Sequence, residues 1–158
     1  MTGGGTAIPE VQALLRTLAA GRDVAELGAA FGETAAVMAE TARSVVAVEL
    51  DPERAAIARA RLEGLPNAEL LEGDCYESLR GRGPFGLVFA DGGRPLDWEA
   101  ILALAGPGSL VVKDDLTPGR PTEGDDVREF LLRDRRLAAA EILATPEMAV
   151  ILAVVLPG

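Results

Sequence analysis

The hydrophobic period changes repeatedly along this chain of 158 residues. Short runs that are apolar at almost every position alternate with longer segments in which apolar residues recur every three or four positions. The short runs predict seven strands, over residues 24–27, 45–50, 68–71, 85–90, 109–112, 137–144 and 148–156. Strands that are apolar on both sides are typical of a parallel sheet covered by helices on both faces. The alternation therefore predicts a doubly wound α/β domain.

Helix signals fill the segments between these strands. The spacing predicts five helices, over residues 9–20, about 32–41, 51–64, 97–105 and about 126–134. Asp51 and Asp97 are suitable N-caps, and Gly64 and the segment Gly106-Pro107-Gly108 are suitable helix stops. The short Thr145-Pro146-Glu147 turn requires the last two strands to pair antiparallel. No repeat or linker interrupts the chain, so we expect residues 1–158 to form a single domain.

Composition limits the chemistry that this chain can perform. It has no histidine and only one cysteine, Cys75, which excludes an intrachain disulfide and a Ser/His or Cys/His pair and disfavours a zinc site. The formal net charge of −10 repels phosphate backbones, so nucleic acid is not an expected partner, although one acceptor nucleotide in a local pocket stays open. The longest apolar run, 148–156, is about half of what a membrane span needs, and no signal peptide is evident. We therefore expect a cytoplasmic protein without a membrane partner.

Small residues and two carboxylates mark a ligand site at the first two predicted strands. The segment Glu26-x-Gly28-x-Ala30-x-Gly32 begins as the first strand ends, and its small residues let a ligand approach the backbone. Glu49 lies near the end of the next strand, 23 positions after Glu26. An acid at that place holds the ribose hydroxyls in nucleotide-binding α/β sheets. The pattern predicts a cofactor that contains adenosine.

The spacing of the small residues selects among such cofactors. A dinucleotide site of the form G-x-G-x-x-G would need glycine at two positions that here hold Ala30 and Glu33. A ligand with an amino-acid tail and no phosphates fits better, because its ammonium favours the carboxylate of Glu26. The pattern resembles motif I of class I S-adenosylmethionine-dependent methyltransferases, usually written E/D-x-G-x-G-x-G, with Ala30 replacing the middle glycine.

That resemblance implies a Rossmann-like methyltransferase sheet of seven strands in the order 3-2-1-4-5-7-6, with strand 7 antiparallel. It also implies a set of residues that bind S-adenosyl-L-methionine: Glu26, Gly28, Ala30, Gly32, Thr34, Glu49, Leu50, Asp74, Cys75 and Asp91. In this set Glu26 takes the ammonium and Glu49 the ribose. Asp74 accepts from the adenine amino group, with the Cys75 N–H near the ring. Two alternatives stay open, because Thr34 also fits a bond to its own helix and Asp74 also fits a helix cap.

Three carboxylates are expected to meet at the same edge of the sheet. Asp91 follows the fourth predicted strand, and Asp114 and Asp115 follow the fifth. Neighbouring strands lie about 5 Å apart, so these side chains converge and repel unless protons or a cation offset their charge. Oxygen ligands suit Mg²⁺ or Ca²⁺. The alternative is a solvated strand edge at which the carboxylates bond loop amides.

This arrangement resembles the cation-dependent O-methyltransferases of the catechol and caffeoyl-CoA type, in which an aspartate and an Asp-Asn pair hold Mg²⁺ against two vicinal substrate hydroxyls. The resemblance implies a metal site at Asp91, Asp114 and Asp115, with Asp115 replacing the asparagine, and a catalytic role for Asp91. Arg94 stands where that family has a lysine base. A guanidinium there can orient or neutralise but cannot accept a proton, so Arg94 is the second catalytic candidate. Lys113 is expected to be an ion-pair partner on the surface.

Four functions are compatible with these patterns. The preferred one is methylation of a hydroxyl on a small-molecule acceptor by S-adenosyl-L-methionine, with or without a divalent cation. Metal-independent methylation of nitrogen, carbon or an RNA nucleotide comes second, and cofactor binding without chemistry comes third. A nicotinamide-dependent dehydrogenase comes last. Only one predicted helix precedes the first strand, so the pocket is open, takes a large substrate, or is closed by a second subunit in a homodimer.

Overall fold

Seven strands form one mixed sheet in the computed structural model, which describes residues 5–92 and 96–158. The strands are β1 (Asp23–Leu27), β2 (Ser44–Glu49), β3 (Ala68–Glu72), β4 (Phe85–Ala90), β5 (Ala105–Leu116), β6 (Leu137–Thr145) and β7 (Met148–Val155). Their order across the sheet is β3-β2-β1-β4-β5-β7-β6. β7 runs antiparallel to β5 and β6, and the other neighbours are parallel. The expected strand order and the reversed last strand are confirmed.

Helices cover both faces of the sheet. They are α1 (Pro9–Ala19), α2 (Glu33–Ala39), α3 (Pro52–Leu62), α4 (Cys75–Ser78), α5 (Trp98–Leu104) and α6 (Asp126–Arg133). One buried apolar cluster lies between the sheet and α4, α5 and α6, and a second lies between the sheet and α1, α2 and α3. Among the described residues, no helix has both the length and the apolar character to cross a bilayer. The result is the three-layer arrangement of a doubly wound fold.

Helix caps confirm two of the predicted helix starts. The Asp51 side chain accepts hydrogen bonds from the N–H groups of Glu53 and Arg54, at 3.0 and 2.9 Å, and so begins α3 directly after β2. Asp97 accepts from the Ala100 N–H at 3.0 Å and begins α5. These carboxylates bond N–H groups that have no partner inside the helix.

The beginning of β5 differs from the prediction. α5 ends at Leu104, close to the predicted stop at Gly106-Pro107-Gly108, but β5 already begins at Ala105, which pairs with Phe85 of β4. The register between β4 and β5 shifts after this pair, so the glycines and the proline occupy an irregular first part of β5. β5 extends to Leu116, beyond the predicted range 109–112. The local turn signal is kept inside this irregular segment, since Gly108 has a φ of +82° and the Gly106 N–H donates to the Ser109 Oγ at 3.1 Å.

The sheet has its switch point at β1. This strand pairs with β2 on one side and with β4 on the other, so the chain winds outward in both directions from the centre. Open α/β sheets bind ligands beyond the carboxyl ends of the strands at such a point. The carboxyl ends of β1, β2, β4 and β5 therefore define the candidate site.

Candidate cofactor and cation site

The turn after β1 brings the backbone into contact with the ends of β2 and β4. Gly28 has a φ of +89°, and its N–H and that of Ala29 donate to the Val48 carbonyl at 2.9 and 2.8 Å. A Cβ at Gly28 would lie 2.7 Å from the Cα of Gly92, which leaves no room for a side chain. Gly92 has no predicted role. A glycine directly after the strand-end Asp91 is the signal that could have revealed it.

Ala30 and Gly32 continue this turn into α2. Ala30 has a φ of +47°, a left-handed conformation that is uncommon for a residue with a Cβ. Gly32 has a φ of +80°, and a Cβ there would lie 3.0 Å from the Cα of Ala58 in α3. Small residues at these positions are therefore explained by structure as well as by ligand approach. Ala30 has an unusual backbone conformation, and Gly32 packs against α3.

Glu49, the last residue of β2, is bonded to the turn. Its Oε2 accepts from the Ala30 N–H at 2.8 Å, and its Oε1 accepts from the Asp51 N–H at 2.9 Å. The side chain is buried, and the two bonds join the turn after β1 to the beginning of α3. Each carboxylate oxygen has a second lone-pair direction, so these bonds leave Glu49 able to accept from ligand hydroxyls as well.

Glu26 carries a buried oxygen that has no hydrogen-bond partner. The residue is 1% exposed, and its Oε2 is unbonded. Burial raises the pKa of Glu26 well above its ordinary range. Three nearby carboxylates shift it in the same direction, those of Asp91, Asp114 and Glu49. A buried acceptor surrounded by negative charge is suited to a cationic ligand group, because such a group bonds the free oxygen and offsets the charge.

Three further carboxylates meet beyond β4 and β5. One ligand oxygen from each of Asp91, Asp114 and Asp115 lies within 4.8 Å of the other two. Asp114 is 1% exposed, and its Oδ1 has no hydrogen-bond partner. Burial, followed by the charge of Asp114, raises the pKa of Asp91 to about 8, and burial also raises the pKa of Asp114. The structure brings together the three carboxylates that the sequence analysis groups, at a point where negative charge is unfavourable.

A bulge in β5 brings Asp115 into this cluster. Successive residues of a regular strand point to opposite faces, so Asp114 and Asp115 would ordinarily diverge. The pairing of β5 with β7 shifts between Lys113 and Leu116, and Asp115 has a φ of +56°. This irregularity allows both carboxylates to approach Asp91.

Lys113 is buried, which corrects the expectation that it lies on the surface. It is the only lysine of the chain and is 1% exposed. Its Nζ donates to the Asp114 carbonyl at 2.7 Å and lies 3.6 Å from the Asp114 Oδ1, too far for a hydrogen bond. The prediction was wrong because β5 lies inside the sheet, between β4 and β7, where helices cover polar and apolar side chains alike. The charge of Lys113 lowers the pKa of Asp91 and offsets part of the carboxylate repulsion.

The other predicted cofactor residues lie at or near the carboxyl ends of β1, β2 and β3. Thr34 is buried in the first turn of α2, whereas Leu50 is 70% exposed directly after β2. Asp74 caps α4 by accepting from two backbone N–H groups, at 2.9 and 3.0 Å. The alternative role of Asp74 as a helix cap is therefore present in the structure. Cys75 is buried, and burial raises the pKa of its thiol to about 11, so it is neutral at physiological pH.

Two arginines differ in how they relate to the sequence predictions. Arg94, the second catalytic candidate, lies outside the described residues. Arg128 has no role in the sequence analysis, yet it is 1% exposed and binds Asp125 and Glu141 through its guanidinium. Its only signal was a spacing of three from the apolar Leu131 on the predicted helix, which places it near the buried face.

No protein-family model matches the chain. A protein-L-isoaspartate O-methyltransferase of Rhodopseudomonas palustris (strain BisB5) is 33% identical over 121 residues, which make up 75% of this chain and 52% of that protein. The chain thus spans about half the length of the curated relative that it matches.

Solved structures resemble the whole sheet and its helices. The cofactor-bound protein Rv0187 from MTB is 24% identical, with a TM-score of 0.80 over 95% of this chain and 81% of that one. The O-methyltransferase from Bacillus cereus in complex with SAH is 22% identical, with a TM-score of 0.74 over 95% and 82%. An rRNA methylase from Streptococcus thermophilus is 18% identical, with a TM-score of 0.71 over 97% and 100%. At these identities the likeness establishes the fold, the seven-stranded methyltransferase fold that was predicted.

Proposed function

We propose that this chain is an S-adenosylmethionine-dependent methyltransferase that methylates a hydroxyl oxygen of a small-molecule acceptor, with the help of a divalent cation. The observation that carries the proposal is the pair of carboxylates beside the glycine turn. Glu26 has a buried oxygen without a partner, and Glu49 binds the amides of the turn itself. The methyltransferase fold and a relative whose name includes O-methyltransferase support the same class of reaction.

The residues at the ends of β1 and β2 fit the cofactor. A ligand ammonium at Glu26 would bond the free Oε2 and offset the neighbouring negative charges. Glu49 would accept hydrogen bonds from the ribose hydroxyls. Because the backbones of Gly28 and Gly92 are in contact, neither position has room for a side chain. Asp74 and the exposed Leu50 would lie against the adenine. When bound, the cofactor supplies a methyl group activated by its sulfonium.

The residues at the ends of β4 and β5 fit a divalent cation. Asp91, Asp114 and Asp115 offer only oxygen ligands, which Mg²⁺ prefers, and the Asp114 Oδ1 is buried without a hydrogen bond. Burial and then the charge of Asp114 raise the pKa of Asp91 to about 8, and a cation would relieve both effects. When bound, the cation lowers the pKa of a hydroxyl in contact with it. Asp91 belongs to both residue sets and would hold the acceptor oxygen beside the cofactor.

The acidic surface favours a small acceptor over nucleic acid. The formal net charge of the chain is −10, which opposes binding to a phosphate backbone. An rRNA methylase nevertheless shares the fold, so a nucleotide acceptor belongs among the substrates to be tried. A homodimer in the cytoplasm is part of the same proposal, in which the partner would cover the acceptor pocket.

A methyl-transfer assay tests the proposal. The protein is incubated with radiolabelled S-adenosylmethionine and, in separate reactions, catechols, small amines, an isoaspartyl peptide and bulk RNA. We expect transfer to catechol hydroxyls that is lost in EDTA and restored by Mg²⁺. Asp114→Asn should lower this activity about 10-fold or more and leave the affinity for S-adenosylhomocysteine within about twofold. Asp126→Asn, a carboxylate outside the cluster, is the matched control.

Each other result rejects a defined part of the proposal. Full activity in EDTA rejects the cation, and transfer confined to amines, RNA or the peptide rejects the hydroxyl acceptor. Tight binding of S-adenosylhomocysteine without product from any acceptor indicates a binding protein without chemistry of its own.

A further inference from the structure

We propose that Lys113 and Arg128 are positioning residues that hold the β5 bulge in the form that presents Asp114 and Asp115 together to Asp91. The inference rests on the proposed cation site and adds two buried basic side chains that would support it. Neither residue is expected to touch the metal, the cofactor or the acceptor. Each acts through a backbone carbonyl beside the bulge.

The bulge needs contacts from outside the sheet ladder. Lys113 pairs with Ile151 and Leu116 pairs with Ala149, so three steps along β5 match two steps along β7. The extra residue of such a bulge has no ladder partner. Asp115 also has a φ of +56°, and a residue with a Cβ keeps this conformation only where the surroundings impose it.

Lys113 supplies the first of these contacts. Its Nζ donates to the Asp114 carbonyl at 2.7 Å, and the side chain is almost fully buried. A buried ammonium needs hydrogen-bond acceptors, and the Asp114 carbonyl is the acceptor recorded for it among the described residues. The bond therefore fixes the carbonyl at the start of the bulge.

Arg128 supplies the second contact, on the other side of the bulge. Its Nη2 donates to the Thr117 carbonyl at 2.8 Å. The guanidinium is itself held by the Glu141 carboxylate, through bonds of 2.8 and 2.9 Å, and by Asp125 at 2.6 Å. Because the planar guanidinium is fixed by β6 and by the start of α6, the Thr117 carbonyl is held to a rigid part of the fold.

These two bonds hold the backbone at Asp114 and at Thr117, on either side of Asp115. If either is lost, the strain at Asp115 favours a more extended backbone, in which its carboxylate turns away from Asp91. A positioning role and a purely electrostatic role of Lys113 then predict opposite effects of its replacement on cation binding. Loss of its positive charge alone would strengthen cation binding by the three carboxylates, whereas loss of the bulge geometry would weaken it.

Calorimetric titration of Mn²⁺ into the full chain tests the inference. We expect Lys113→Met and Arg128→Met to weaken Mn²⁺ binding about 10- to 100-fold, the range found when outer ligand-orienting partners are removed. Lys113→Arg should restore most of the affinity because it can still donate to the carbonyl. Arg136→Met is the matched control, since Arg136 binds Glu99 and Asp134 away from the bulge, and it should stay within about twofold of the wild type. Arg128→Lys, which keeps the charge but not the full set of bonds, replaces Arg128→Met if that variant does not fold.

Hydrogen exchange of the amides at residues 115–117 is measured on the same proteins. Unchanged or tighter Mn²⁺ binding in Lys113→Met and in the Arg128 variant overturns the inference. If the wild type binds no Mn²⁺, the cation part of the proposed function fails, and the exchange data alone decide the positioning role. Faster exchange confined to this segment in both variants supports that role, and unchanged exchange overturns it.

Discussion

The backbones of Gly28 and Gly92 touch where β1 and β4 end side by side. The Gly92 N–H donates to the Leu27 carbonyl at 2.5 Å, and a Cβ built on Gly92 would lie 2.9 Å from the Gly28 Cα. This contact ties the glycine turn to the strand that carries Asp91. The proposed cofactor site and the proposed cation site are therefore joined through backbone, and a change in one glycine should disturb both.

We expect Gly28→Ala to destabilise the protein by about 3 kcal/mol or more, because it adds a steric clash to the cost of a left-handed alanine. Gly64→Ala is the matched control, since Gly64 has a similar φ of +87° and nothing within 4 Å of a built Cβ. The control should lose only about 1 kcal/mol. Urea denaturation measures both values. Equal losses in the two variants would show that the contact with Gly92 does not limit the turn.

Ala30→Gly should keep or raise the stability. Ala30 is left-handed, and this conformation destabilises the folded state by about 1–2 kcal/mol for a residue with a Cβ. Glycine removes that strain, but it loses more conformational entropy on folding, which costs about 0.5–1 kcal/mol. We expect a net gain of up to about 1 kcal/mol, with cofactor affinity retained. Ala29→Gly, at a buried neighbour without a positive φ, should lose about 1 kcal/mol. A loss of stability in Ala30→Gly as large as that in Ala29→Gly would contradict the strain at Ala30.

Glu26 should make the protein less stable as the pH rises. Its pKa is raised in the folded state by burial and by neighbouring carboxylates, so the folded protein holds a proton that the unfolded chain releases. The stabilisation is complete below the unfolded value of about 4.5 and is lost as the pH rises toward the folded pKa.

Glu26→Gln should therefore be more stable relative to the wild type at pH 8 than at pH 5. Denaturant unfolding of both proteins at the two pH values measures this difference. Asp91, whose pKa is raised to about 8, is present in both proteins and affects both curves. A stability difference that does not change with pH would mean that Glu26 does not titrate as a buried carboxyl group.

Asp74→Ser separates the two roles of Asp74. Serine is as good an N-cap as aspartate, so the free energy of unfolding should change by less than about 0.5 kcal/mol. Its shorter side chain cannot reach the adenine amino group, so the affinity for S-adenosylhomocysteine should fall about 10-fold. Asp97→Ser makes the same exchange at the cap of α5 and should leave that affinity unchanged. Wild-type affinity for S-adenosylhomocysteine in Asp74→Ser would show that Asp74 acts only as a helix cap.

Much of the fold is predictable from the sequence because parallel strands buried on both faces are apolar throughout. The caps at Asp51 and Asp97 and the strand-end position of Glu49 follow from the same local chemistry. The strand order requires more than hydrophobic periodicity and comes from the family resemblance. The helix stop at Gly106-Pro107-Gly108 follows from local chemistry, but β5 starts earlier than predicted because the pairing of Ala105 with Phe85 of β4 is a long-range interaction.

The cluster of Asp91, Asp114 and Asp115 is only partly predictable for a similar reason. Convergence of Asp91 and Asp114 follows from neighbouring strand ends, but the approach of Asp115 depends on a bulge that no local pattern announces. Burial of Lys113 depends on the helices that cover β5, and burial of Arg128 depends on acceptors from β6 and the loop after β5. The burial of both residues therefore depends on elements that are distant in the sequence.

Glu26 and Glu49 are proposed to bind opposite ends of one cofactor, and calorimetry with two ligands distinguishes their roles. S-adenosylhomocysteine carries both the amino-acid tail and the nucleoside, whereas methylthioadenosine lacks the tail. We predict that Glu26→Gln weakens S-adenosylhomocysteine about 10- to 100-fold and leaves methylthioadenosine within about twofold, while Glu49→Gln weakens both ligands. Equal weakening of both ligands by Glu26→Gln, or wild-type affinity in both variants, would show that the two carboxylates do not bind opposite ends of one cofactor.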